Sequence, residues 1–461
     1  MCGIAAYAGR QDTVTNILTL MIELQHRGQE ASGLAVASTD GEVHSFTNRG
    51  TVLEILNAEN LLSAVQIRGG IFGGIGHVRY STSGPFFHYS AQPLVVGNSR
   101  YRIAVAFNGT IANYTELARE FSMDRGDGDS TVFANLIYRL AVEFDRDVVE
   151  ALRVLPEYVV GGYSVAVVTS EPRIVIARDP RGFRPLAYSF TDAEFYAASE
   201  TSALDAVGAG VWMEVLPGEV ISFDGKALEV ARASMAECVA PCIFEYVYFS
   251  RLDSVFNGVS IYRARFEMGR ELAKVAPVEA DVVVPVPDSG RAAALGYGRE
   301  SGMPVEEGIV ANKYVGRGFI APPPVREVVS KLKYGFVKDV LNGRRVVLVD
   351  DSIVRGTTMR SIVSRMRSVG AQEIHVRVSS PPFRYPCFMG IDVSSRDELL
   401  VWRTVYEKDI AKHVEADSLG YNTLKGLMRA TGLATFCAAC FTGVYPFGDL
   451  KLEDLERMFV R

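Results

Sequence analysis

The stretch Arg345-Val346-Val347-Leu348-Val349-Asp350-Asp351-Ser352-Ile353-Val354-Arg355-Gly356-Thr357-Thr358 decides how the second half of this chain folds. Its run of consecutive apolar residues, mostly β-branched, reads as a strand buried on both faces, the pattern of a parallel sheet. The strand ends in two adjacent carboxylates. A short loop with hydroxyls and a glycine comes next, followed by a helical pattern over Met359–Val369. Loop amides and a helix N-terminus together suit a phosphate. Asp350 and Asp351 can hold ribose hydroxyls, or a Mg²⁺ ion coordinated to pyrophosphate. The loop falls at the carboxyl end of a strand, where open α/β sheets bind ligands. It lacks Gly-Lys-Ser/Thr in register, so it is not a Walker loop.

Outward from this segment, Val282–Val286 is a β-branched run followed by a helix over Ala292–Glu300, and Ile374–Val378 is a further strand. Strand and helix alternate, which predicts a parallel sheet of βαβ units. The first half differs. Strand-like runs at Gly3–Ala8, Ile103–Phe107, Tyr163–Val168, Ile174–Ala177 and Val220–Phe223 are separated by turn signals, with helical patterns at about Thr13–His26 and Thr131–Phe144. Many strands and few helices predict layered sheets flanked by helices. A length of 461 residues favours two or three domains, and the pattern changes near Val230–Ala240. The expected division is 2–235 and 236–461. Ala321-Pro322-Pro323-Pro324, after the glycine-containing Lys313–Gly318, reads as a mobile loop with a stiff exit.

The net charge of −6 supplies no general attraction for nucleic acid. The N-terminus, Met1-Cys2-Gly3-Ile4-Ala5, resembles neither a signal peptide nor a membrane anchor, and no apolar run is long enough to span a bilayer. A soluble, cytoplasmic enzyme is expected.

Cys2 becomes the first residue once Met1 is removed, and its thiol then sits beside a free α-amine. An amine with a pKa near ~8 can take the thiol proton without a histidine. Activity therefore requires loss of Met1. Arg79 can pair bidentately with the carboxylate of an amino acid, and Asp129 can take its ammonium. Amide hydrolysis passes through an oxyanion, for which Asn108 and the backbone of Gly109 are candidate donors. Asn-Gly is also ordinary hairpin chemistry. His26 and His77 are expected to be structural.

These residues lie in His26-Arg27-Gly28, Gly76-His77-Val78-Arg79-Tyr80-Ser81-Thr82 and Phe107-Asn108-Gly109-Thr110, and with Cys2-Gly3-Ile4 they resemble the class II glutamine amidotransferases. The resemblance spans the first half. It implies an N-terminal-nucleophile αββα glutaminase domain, with Cys2, Asn108 and Gly109 catalytic and Arg79 and Asp129 binding glutamine. The 345–358 segment is similar to the loop that binds phosphoribosyl pyrophosphate (PRPP) in type I phosphoribosyltransferases, and its wording resembles their amidophosphoribosyltransferase branch. The resemblance implies PRPP contacts from Asp350, Asp351, Ser352, Val354, Arg355, Gly356, Thr357 and Thr358. In Val284-Pro285-Val286-Pro287-Asp288-Ser289-Gly290 it places Ser289, with the Asp pair, near Mg²⁺. Asn312–Arg317 resembles a loop that closes over PRPP, with Lys313 as a contact, although Ala311 and Gly318 depart from the usual pattern.

Of the six cysteines, Cys242, Cys387, Cys437 and Cys440 fall in the second half. Buried thiols, a structural zinc and disulfides are all compatible with them. Their contexts look like the iron–sulfur subgroup of the amidotransferases, which implies a [4Fe–4S] cluster with zinc as the alternative metal. Cys238 fits no ligand position. The resemblance further implies an internal path for ammonia, purine nucleotides as feedback inhibitors, and a homotetramer or dimer. A different class II amidotransferase and a non-catalytic PRPP-sensing regulator are the competing readings. The Asp350–Thr358 loop opposes the first, and the intact Cys2, Arg79, Asn108, Gly109 and Asp129 oppose the second.

Overall fold

A computed structural model of the chain describes residues 2–10, 12–56, 70–80, 91–124, 128–191, 193–233, 236, 238–312, 333–391, 393, 395–403 and 407–460. The first half contains two antiparallel sheets. One has seven strands, in the spatial order Trp212–Glu214, Ala187–Phe190, Phe195–Ala198, Gly3–Ala8, Ile71–Arg79, Ala31–Ser38 and Val43–Arg49. The other has six, in the order Leu228–Arg232, Glu219–Phe223, Arg173–Arg178, Gly161–Thr169, Arg102–Ile111 and Leu94–Gly97.

Alternation along Gly3–Ala8 explains the layering. Ile4, Ala6 and Ala8 join Ala104, Ala106, Ala166 and Ile176 of the other sheet in one core. Ala5 and Tyr7 point the opposite way, against Ile17, Leu18 and Met21 of helix Thr13–Glu23. The larger of these, Ile4, Ile17, Leu18, Met21 and Ile176, each contribute roughly 1.5–3 kcal/mol relative to exposure, and the alanines less. Asp12 caps that helix, its Oδ1 accepting from Val14 N at 3.0 Å and Thr15 N at 3.3 Å. The helix stops at Glu23, short of the expected His26, and a 3₁₀ turn over Gln25–Arg27 carries the chain inward. On the far face of the second sheet, helix Asp129–Glu143 covers Ile103, Val105 and Phe107. Helix, sheet, sheet and helix give the expected αββα arrangement.

The second half is built on four parallel strands, Val282–Pro285, Arg345–Asp350, Glu373–Val378 and Ser418–Tyr421. Val282, Val284, Val346 and Leu348 pack on Met359, Ile362 and Met366 of helix Thr357–Ser368. Val283, Val347 and Val349 pack on Leu272, Ala293 and Tyr297 on the opposite face. Helices Ile261–Val275 and Arg291–Ser301 cross almost backbone to backbone. A Cβ at Gly269 would lie 1.9 Å from Ala293 O, and one at Gly296 would lie 1.8 Å from Phe266 O.

The two halves interlock. Helix Leu452–Val460 packs on helix Tyr114–Glu120 of the first half, where Thr115 Oγ1 donates to Met458 O at 3.3 Å. Among the described residues no helix is long and apolar enough to cross a membrane.

Candidate active site

Cys2 sits at the head of the Gly3–Ala8 strand and is buried. Its neighbours come from strands on both sheets. Cys2 N donates to Asn108 Oδ1 at 3.2 Å, and the thiol points to Tyr80 O at 3.8 Å. Asn108 is itself fully buried, and its Nδ2 has no hydrogen-bond partner among the described residues. A buried amide N–H₂ without an acceptor is costly, and an arriving oxyanion would satisfy it. A Cβ at Gly109 would lie 2.0 Å from Gly162 O, so the strands can approach this closely only with glycine there. Burial pushes the Cys2 thiol up, but the His77 imidazole outweighs it, with help from the charge of the N-terminal amine and a backbone hydrogen bond at Tyr80, and the thiol falls from 9.0 to about 6. His77 is fully buried with Nε2 3.2 Å from Phe107 O. It also hydrogen-bonds the thiol, a part in tuning the nucleophile that the expectation of a structural histidine did not include.

Arg79 lies beside Cys2 and within electrostatic reach of Asp129. The pairing of Gly3 with Val78 places Arg79 across from Cys2. Asp129 opens its helix, and its Oδ2 accepts from Ile111 N at 3.1 Å, on the same strand as Asn108. Burial raises the Asp129 carboxyl, while the Ile111 N–H and the charge of Arg79 pull it down. A cation and an anion thus lie within electrostatic reach of each other, the pair of charges that an amino-acid zwitterion requires.

Behind Cys2 lies a charged cluster that sequence reading missed. Arg27 Nε donates to Cys2 O at 2.9 Å, and its two terminal nitrogens reach Glu245 at 3.1 and 2.9 Å. Glu200 pairs with Arg27 at 2.5 Å and with His26 at 2.8 Å. Arg184 pairs with Glu245 at 3.3 Å. These residues are scattered through the chain, so no local pattern marks them.

At the other site, Asp350 and Asp351 end the central strand and are both buried. Asp351 N donates to Asp350 Oδ1 at 2.9 Å, and Ser352 Oγ donates to Asp351 Oδ2 at 2.5 Å. Burial raises both carboxyls, and the charge of Asp351 raises Asp350 further. Ser289 hydrogen-bonds the Asp351 carboxylate. A Cβ at the next residue, Gly290, would lie 2.5 Å from Val349 O, which is how closely that loop abuts the strand. Gly356, at φ 78°, turns the loop into helix Thr357–Ser368, whose exposed Thr357 and Thr358 form the first turn. Among the described residues no side chain caps that helix. Val354 O accepts from Leu400 N at 2.9 Å, and Arg355 pairs with Glu398. Lys313 and the rest of the expected closing loop lie outside the described residues.

Cys242, Cys387, Cys437 and Cys440 are all free and buried, whereas Cys238 is exposed. The four buried thiols lie close enough to perturb one another, and Arg184 faces Cys242 and Cys387. The backbone ties Cys242 to Cys437, with Cys437 N donating to Pro241 O at 2.8 Å and Ile243 N to Cys437 O at 3.2 Å. Burial pushes the Cys242 thiol up to about 11, a cost that metal coordination would remove. As placed, no three Cys, His, Asp or Glu side chains among the described residues converge on a single ion.

Residues 77–206 match the glutamine amidotransferase domain family. An amidophosphoribosyltransferase of Pyrococcus horikoshii is 44% identical over 454 residues, covering 96% of each chain. That of Archaeoglobus fulgidus is 42% identical, covering 92% of this chain and 93% of its own. That of Bacillus subtilis is 38% identical, covering 96% and 94%. A solved structure described as the allosteric regulatory enzyme of purine biosynthesis superposes with a TM-score of 0.86 at 35% identity, covering 99% of both chains. The B. subtilis glutamine PRPP amidotransferase complexed with ADP and GMP gives 0.85 at 36% identity, covering 98% of this chain and all of that one. With relatives this similar along almost its whole length, the chain belongs to the amidophosphoribosyltransferase family.

Proposed function

We propose that the chain converts PRPP and glutamine into 5-phosphoribosylamine, glutamate and pyrophosphate, the first committed step of purine synthesis. The observation that carries this reading is the pairing, on one chain, of a buried low-pKa thiol beside an unpartnered amide donor with a buried carboxylate pair at a parallel strand end.

After Met1 is removed, the α-amine of Cys2 rests on Asn108 Oδ1 and takes the thiol proton. Sγ attacks the side-chain amide carbon of glutamine, which Arg79 holds by its carboxylate and Asp129 by its ammonium. Asn108 Nδ2 and Gly109 N–H receive the oxyanion. Collapse expels ammonia, with the proton returned from the amine, and leaves a thioester that water cleaves to glutamate. Ammonia then attacks the ribose carbon of PRPP, and the C–O bond to pyrophosphate breaks.

At the second site Ser352, Val354, Gly356, Thr357 and Thr358 would hold the 5′-phosphate, Arg355 would flank it, and the Asp pair would bind the ribose hydroxyls. Asp350, Asp351 and Ser289 are the groups that would hold Mg²⁺, whose bound charge would offset that of the departing pyrophosphate. Cys242, Cys387, Cys437 and Cys440 would hold a [4Fe–4S] cluster, with zinc as the alternative. No step transfers an electron, so the cluster's part would be structural or oxygen-sensing. The same reading includes domains at 2–235 and 236–461, purine nucleotides as inhibitors, an oligomer and a cytoplasmic location.

Purified protein given glutamine with and without PRPP should release glutamate and pyrophosphate together. Glutamate release indifferent to PRPP, with no pyrophosphate, would reject the proposal. A brown, iron-containing protein is expected after anaerobic preparation, and a colourless zinc protein would reject the cluster.

A further inference from the structure

Strand Leu94–Gly97 leaves its neighbour, Arg102–Ile111, just short of the oxyanion donors. Leu94 pairs with Val105 and Val96 with Ile103, a register that sets Gln92 opposite Phe107. In a continued antiparallel ladder these two residues would exchange both of their backbone hydrogen bonds. Side chains make the bonds instead. Gln92 Oε1 accepts from Phe107 N at 2.8 Å, and His77 Nε2 donates to Phe107 O at 3.2 Å.

The backbone at this point has turned toward the other sheet. A Cβ at Gly33 would lie 2.4 Å from Gln92 O, and Ser45 Oγ donates to Pro93 O at 3.3 Å. Gly33 is itself the strand partner of His77. Gln92 is therefore wedged where the two sheets meet, with its backbone on one and its side chain on the other. Gln92, His77 and Asn108 are all buried. The two bonds hold the peptides on either side of Phe107, and the second of these peptides carries Asn108. Asn108 Oδ1 in turn receives Cys2 N, while Nδ2 is left without a partner among the described residues. An oxyanion donor works by being set in place before charge develops, so whatever fixes its backbone bears on the rate.

We infer that Gln92 is a positioning residue for glutamine hydrolysis: its side chain stands in for the missing strand at Phe107 and so sets the aim of Asn108 Nδ2. This rests on the function proposed above. Gln92 bonds to neither the thiol nor the oxyanion donors and acts through Phe107. Without its oxygen the buried Phe107 N–H must turn toward another acceptor, and the peptides leading to Asn108 turn with it.

The test uses the full-length enzyme with Gln92→Met, which keeps the length of the side chain and removes the acceptor oxygen. The glutamine-dependent kcat should fall about 10–100-fold, the cost of a small misplacement. The KM for glutamine should stay within about twofold, since Arg79 and Asp129 are untouched. In an Asn108→Ala background the same change should cost less than about twofold, because the group it positions is gone. A purely structural role would lower kcat by the same factor in both backgrounds, and that result would overturn the inference, as would an unchanged kcat in the first. Pyrophosphate release with ammonia, which bypasses glutamine, serves as the folding control. Should Gln92→Met not fold, Gln92→Asn, too short to reach Phe107 N, is carried through the same two backgrounds and judged by the same outcomes. Failure of the wild type to release glutamate and pyrophosphate together would instead remove the proposed reaction, which keeps the two failures distinct.

Discussion

Cys2 and the Asp350–Asp351 pair are both buried, yet their environments act on charge in opposite directions. At Cys2 the protein has already met the cost of burial: His77 and nearby polar groups bring the thiol down to about 6, and the anion is ready before substrate arrives. At the Asp pair burial wins, both carboxyls are raised, and Arg265, whose charge acts on Asp351, already donates to the carbonyls of Tyr246 and Ser250. The first site is a finished nucleophile. The second is completed by what binds to it, as expected where the ligand brings its own cation and several negative charges.

The contrast can be broken in four places. Cys2→Ala should have the largest effect, abolishing glutamine-dependent synthesis while leaving ammonia-dependent synthesis from PRPP, measured as pyrophosphate release. Loss of both would show that the sites are not separable. Next, Asn108→Ala should lower the glutaminase kcat about 10²–10³-fold with little change in the KM for glutamine, as for an oxyanion donor. An effect confined to KM would assign Asn108 to ground-state binding. Asp351→Asn should raise the KM for PRPP about 10–100-fold, the worth of one charged hydrogen bond at ~1.5–3 kcal/mol, in assays with either nitrogen donor. A change only with glutamine would contradict a local role.

The smallest effect is the titration of Cys2. A thiol lowered from 9.0 to about 6 is a thiolate above about pH 6 and is protonated as the pH falls through that value. Alkylation of Cys2 by iodoacetamide, followed by mass spectrometry, should therefore be half-maximal near pH 6. His77→Gln should move that midpoint upward by about one unit, equivalent to ~1.4 kcal/mol. An unmoved midpoint would remove His77 as the cause.

Much of this was legible in the sequence because it is local. The Gly3–Ala8 strand has the predicted bounds, and the β-branched runs at 282–286, 346–349 and 374–378 became the parallel sheet. The thiol, the Asn-Gly pair and the acidic strand end also read directly from short motifs. What escaped depends on residues far apart. Strand Ile71–Arg79 carries Gly73, Gly74 and Gly76, poor strand formers whose presence makes sense only against the neighbouring strand and helix: a Cβ at Gly73 would lie 2.7 Å from Ala8 Cβ, and one at Gly76 would lie 2.5 Å from Met21 Sδ. The charges at 27, 184, 200 and 245 meet only after both halves have folded. The thiol-lowering effect of His77 needed the register between two strands.

The docking of Leu452–Val460 on Tyr114–Glu120 has a consequence for how the molecule is made. Thr115 and its partner Met458 are 343 residues apart. At typical synthesis rates the ribosome takes roughly 20–70 s to cover that distance. For that time the first half stands with one helix uncovered, exposed to chaperones, to proteases and to other nascent chains. The glutaminase half is the first to be synthesised and among the last to be sealed.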